Sequence, residues 1–266
     1  MMNQPMIRRI TVALAAIGLA ACSADEATSP STSLDLNAAA SQAALGDINS
    51  LNGLLGMLGL QQTGAPITLP SLCAFSSADQ AFDCPTQTIS GLTLRTQYYL
   101  YDASNVSLSA FNAATTSSLR LVNDLTGNTT VPSTGSTISA TVSHHSDMKL
   151  GGLLATTRTL NGTSTDHEVI TSTGGSVGTR STVDLNSTTS NVVFPTTGET
   201  RWPSSGSITA DATTATTLGV LPSVSVTGHA VVTFNGTNIA TVVSTFAGVT
   251  RTCQVDLTGA TAPRCN

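Results

Sequence analysis

The chain has 266 residues, of which 9% are charged and 4% aromatic, with 22 glycines and a formal net charge of −5. So few cations exclude recognition of nucleic acid or anionic lipid through a basic patch. Roughly three residues in ten are Ser or Thr, and β-branched Thr and Val with almost no Lys or Glu favour strands over helices.

Residues 1–21 read as a signal peptide. Arg8 and Arg9 precede an apolar run from Ile10 to Ala21, which is too short to span a bilayer as a mature helix. The following Leu19-Ala20-Ala21-Cys22 resembles the lipobox of bacterial lipoproteins. The resemblance implies cleavage before Cys22, a diacylglycerol thioether on its sulfur, and N-acylation. Several acyl chains on one residue make membrane anchoring stable where one would not. Ser23 follows the cysteine instead of aspartate. By the enterobacterial sorting rule, this implies the outer membrane.

Residues 22–36, small and polar, form a flexible tether. Residues 37–266 form a single β-rich domain that opens on one helix within 37–60. There Ile48, Leu51, Leu55 and Leu58 fall at helical spacing.

Setting Cys22 aside leaves Cys73, Cys84, Cys253 and Cys265. Four cysteines permit three connectivities, and local pairing of Cys73 with Cys84 and Cys253 with Cys265 is the simplest. Neither CxxC spacing nor an adjacent histidine supports a zinc site.

Beyond Cys84, period-two segments follow one another. In residues 88–102, Leu92, Leu94, Thr96, Tyr98 and Leu100 alternate with Thr93, Arg95, Gln97, Tyr99 and Tyr101. About ten strands joined by short turns predict an antiparallel meander forming a curved sheet, half-barrel or sandwich, with the helix packed on it. Asn235-Gly236 is the best hairpin signal.

Three of the four histidines lie within residues 143–170. With turns placed at Gly151-Gly152 and Asn161-Gly162, Thr157 faces both His144 and Glu168, which then stand about 10 Å apart on one face. His145, Arg158 and His167 share the other face, with Arg158 the expected partner of a nearby acid. His144, His145, His167 and Glu168 are weak metal candidates, because Arg158 between two histidines would repel a cation. No metal and no cofactor are expected.

Gly174-Gly175-Ser176-Val177-Gly178 fits the G-x-S-x-G pattern, and Asp211 and His229 follow in hydrolase order. A nucleophile elbow needs a strand-to-helix turn, whereas the residues after Gly178 have strand character. Tyr99 and Tyr101, and Arg201 with Trp202, are candidate ligand-binding residues through aromatic stacking.

The ending VTFNGT…VTRTCQVDLTG resembles secreted Ser/Thr-rich bacterial β-proteins. The expected function is therefore a lipid-anchored, non-catalytic envelope protein presenting a binding or scaffold domain to a protein, polymer or lipophilic ligand. The alternatives are a carrier, since helix-then-meander order resembles the periplasmic lipoprotein-carrier fold in outline, and, third, a hydrolase.

Overall fold

A computed structural model describes residues 72–133, 136–173, 178–196, 202–257 and 264–266. The expected signal peptide, lipidated Cys22, tether and 37–60 helix, and the candidate Arg201, lie outside these residues. The strands in chain order are β1 (Ala74–Ser76), β2 (Ala81–Asp83), β3 (Gln87–Ile89), β4 (Leu92–Tyr101), β5 (Ser107–Leu108), β6 (Ser118–Ser133) and β7 (Ser136–Gly151). They continue with β8 (Thr157–Thr173), β9 (Thr179–Pro195), β10 (Ser205–Leu218), β11 (Val224–Thr233), β12 (Ile239–Phe246), β13 (Val249–Asp256) and β14 (Arg264–Cys265).

All fourteen belong to one antiparallel sheet in the order β1-β2-β4-β6-β7-β8-β9-β10-β11-β12-β13-β14, with β3 and β5 also paired to β4. From β6 onward every neighbour in space is a neighbour in sequence. The sheet does not close, and no helix occurs among the described residues.

Fourteen strands exceed the expected ten because the flanks add short ones. The central strands are also longer than the turn signals suggested. β8 and β9 have 17 residues each, about 56 Å at strand rise. Asn161-Gly162, read as a turn, lies inside β8. A Cβ at Gly162 would stand 2.2 Å from the backbone oxygen of Asp147, so the neighbouring strand approaches too closely for any side chain. The Asn161 carboxamide oxygen accepts the Asn191 N–H at 2.8 Å, holding a β-bulge where the β8–β9 register shifts between Leu160 and Gly162. Asn235-Gly236 likewise does not make a two-residue turn, since Thr233 pairs with Thr241 across a longer loop. The tight hairpin is the next one: Phe246 pairs with Val249, and Ala247 and Gly248 both have positive φ, 46° and 80°.

One face of the sheet carries the core. Leu100, Leu119, Leu150, Leu160 and Val192 stand opposite one another across β4 to β9, each at most 2% exposed. Ile208, Val232, Val242, Cys253 and Val255 continue the buried cluster to β13, and Phe111, Leu153 and Trp202 pack against it from the connections. Leu100 with Tyr98, both expected on one face of β4, are in this cluster.

Both cysteine pairs are disulfides, Cys73–Cys84 and Cys253–Cys265, separated by 11 and 12 residues.

Candidate functional site

On the core-bearing face the apolar rows give way to a polar row. The Thr96 hydroxyl donates to Asn123 at 2.9 Å, and the Ser164 and Ser187 hydroxyls bond each other at 2.8 Å. The next rows hold the face's ionisable cluster. His144 on β7 stands opposite Asp166 on β8, with Nδ1 2.5 Å from the carboxylate. Glu168, two residues further along β8, faces Val142 on β7 and Val183 on β9.

Glu168 is 5% exposed. Burial between aliphatic neighbours, helped by the Asp166 carboxylate, pushes its pKa up to about 7. This acid therefore changes charge near neutrality beside a histidine–carboxylate pair, the strongest perturbation of a carboxyl group among the described residues.

The other face carries the remaining histidines, each clamped in the same way. His145 Nδ1 lies 2.7 Å from Asp124, His167 Nδ1 2.6 Å from Asp184, and His229 Nδ1 2.7 Å from Asp211. A carboxylate only accepts, so each Nδ1 donates, and a neutral ring then keeps its lone pair on Nε2. Aspartate partners of this kind orient metal-bound histidines in metalloproteins. Here, however, no group of three or more His, Cys, Asp or Glu converges on one point among the described residues.

The four metal candidates are thus split between faces, His144 and Glu168 on one, His145 and His167 on the other. His144 meets Asp166 because the β7–β8 hairpin is centred at residue 155 and not at Gly151-Gly152, and Thr157 meets Pro195 because β8 runs on through Asn161-Gly162.

Arg158 is on the core-bearing face, opposite Phe194, and eight residues, roughly 26 Å, along β8 from Asp166. Among the described residues it partners no acid. Its Nε is buried without a hydrogen bond, and burial lowers its pKa.

Tyr99 and Tyr101 lie on the outer face with cations of the same sheet above them. Arg120 sits 5.0 Å from the Tyr99 ring centre, and Lys149 5.0 Å from that of Tyr101. Arg120 also grips Asp147 with two bonds, 2.7 and 2.6 Å, and Lys149 donates to Asn105 at 2.8 Å. Trp202 is half-buried against the core.

Ser176 lies outside the described residues, and its motif joins β8 to β9, two antiparallel strands. Thr179 pairs with Leu218, seven residues from Asp211 on β10, so the Asp211–His229 pair is roughly 23 Å from that turn.

Asp124 and Asp184 carry no signal in the sequence alone, and Asp211, noted beside His229 only for its order along the chain, and Asp166 are not marked there as histidine partners. Each is a period-two position, but finding it needs the register. Comparison with family models, with curated proteins and with solved structures finds no match.

Proposed function

We propose that this protein is a lipid-anchored, non-catalytic component of a bacterial envelope whose open β-sheet serves as a binding or scaffold surface. The observation that carries the reading is the cysteine balance. Four of five cysteines pair as two local disulfides, and the fifth, Cys22, stands at the lipobox-like Leu19-Ala20-Ala21-Cys22. Disulfides persist in oxidising compartments, which suits an exported domain.

The ionisable side chains fit a structural role. The four histidines, Arg95 and Arg120 each face an aspartate within 4 Å, so these charges are used to register strands. The Ser/Thr-rich rows of β6 to β10 beyond the core offer a broad hydroxyl surface of the kind that meets a polymer or protein partner. We take the sheet to be curved, with the 37–60 helix against it.

Intact mass of the protein purified from membranes tests the anchor. The expected mass exceeds that of the peptide beginning at Cys22 by its acyl groups, and an unmodified Cys22 overturns the reading. Organic extraction of the same sample should release no stoichiometric lipophilic ligand. If it does, the carrier alternative replaces the scaffold.

A further inference from the structure

Large apolar side chains left exposed on a folded chain are informative when they cluster. Leu218, Val220, Leu221 and Val224 are 47, 102, 59 and 66% exposed, and all lie at the connection from β10 to β11. The turn is held by its backbone. Leu221 N–H donates to the Leu218 carbonyl at 2.9 Å, and Gly219 N–H donates to that of Gly178 at 2.8 Å. The side chains are thus presented outward by hydrogen bonds that fix the turn. A cluster of this kind at a projecting tip marks a contact surface.

The chain around it is uncharged from Ala212 to Gly228. One cation stands behind the tip: exposed Arg180 on β9, opposite Thr217.

We propose that the β10–β11 turn, residues 218–224, enters the interfacial region of a lipid bilayer, with Arg180 at the level of the lipid phosphates. Size decides the occupant. A stable protein interface buries about 800 Å² on each partner, and four aliphatic side chains on a seven-residue tip fall well short. Behind them β10 presents Thr213, Thr214, Thr216 and Thr217, and β11 presents Ser225 and Thr227 beside Val226, which packs against the core, so no apolar surround enlarges the patch. A bilayer requires no complementary shape. It accepts a small apolar wedge at the headgroup–acyl boundary, and the bare hydroxyls behind it stay at the wet surface. This contact is independent of acylation at Cys22 and would add an orienting second attachment to it.

The test uses the full chain carrying Cys22→Ala, so that no acyl anchor forms, and Trp202→Phe, so that the native indole does not report, with an indole placed at the tip by Val220→Trp. A companion chain carries Leu154→Trp instead. Leu154 is 51% exposed in the β7–β8 turn at the opposite end of the sheet. Each is mixed with phosphatidylcholine vesicles whose acyl chains are brominated or plain. The tip indole should lose roughly half its emission to brominated lipid while the Leu154→Trp chain stays unquenched, and adding Leu221→Asp should abolish the difference. Equal quenching at both ends would place the contact in the N-terminal apolar run and overturn the proposal. So would an unquenched tip, or quenching that survives Leu221→Asp. Sedimentation without vesicles covers the remaining occupant: a dimer that Leu221→Asp dissociates would assign the tip to a second copy of the chain and overturn the bilayer reading.

Discussion

Glu168 shows what one side chain costs when a strand face demands burial. In the unfolded chain it titrates near 4.5, and in the folded chain near 7. The folded state therefore favours the protonated carboxyl. Its stability contribution is undiminished below the unfolded value and is lost as pH rises through about 7, since ionisation must then occur against Val142 and Val183. A shift of this size corresponds to roughly 3 kcal/mol once ionisation is complete. Glu168→Gln should match the parent in thermal unfolding at pH 4.5 and exceed it progressively up to pH 8.5; a constant difference across that range would contradict the burial argument. Asp147 has the opposite sign. The Arg120 hydrogen bonds hold its carboxyl below the usual range, so its contribution is present above the unfolded value and disappears as pH falls through the folded one. Both side chains are about a third exposed, and solvent screening limits the pair to about 1 kcal/mol. Asp147→Asn should cost that much at pH 7 in denaturant titration and almost nothing at pH 2.5.

Between neighbouring strands, shape and register decide more than composition does. Gly228 on β11 faces Phe246 on β12, and a Cβ on the glycine would meet the ring at 2.2 Å. The ring, 5% exposed, lies flat where the side chain is missing. Gly228→Ala should destabilise by about 1–3 kcal/mol through overpacking, and most of that cost should vanish in a Phe246→Ala background, measured as a double-mutant cycle. The same pair explains what the sequence reveals. Period-two alternation exposes strands and faces, as for Leu92 to Leu100, and cysteine spacing exposes the local disulfides. Strand length is hidden, because a glycine that makes room for a neighbour, such as Gly162, looks like a glycine that turns the chain. Register is hidden with it. Misplacing the β7–β8 turn moved the apparent partner of His144 from Asp166 to Thr157 and put Arg158 on the wrong face. Each Asp–His pair depends on the register of the hairpin that joins its two strands, and that register is not written in the alternation.

An open sheet of this length has two edges, and an unpaired edge recruits other strands. The chain guards each edge with short segments, and each disulfide holds such a segment. On one side β2, β3 and β5 all pair with β4, and Cys73–Cys84 closes the β1–β2 hairpin that lies there. On the other side β14 covers β13 through only two register pairs, Cys253 with Cys265 and Gln254 with Arg264. Two pairs cannot hold a strand of two residues, so the covalent bond does. Closing a loop of this size is worth on the order of 3 kcal/mol in the chain-entropy model, and the bond also removes a row of open donors and acceptors from solvent. The two consequences separate experimentally. Cys253→Ala with Cys265→Ser should lower the unfolding midpoint as any lost cross-link would, and should additionally make the folded protein associate as concentration rises, because β13 loses its cover from Thr252 to Gln254. Removing Cys73 and Cys84 in the same way should lower the midpoint with less association, since β3 and β5 still pair with β4. Light scattering on the two variants at matched fraction folded decides the matter: equal association would mean that the C-terminal disulfide only stabilises, and that β14 does not protect the edge.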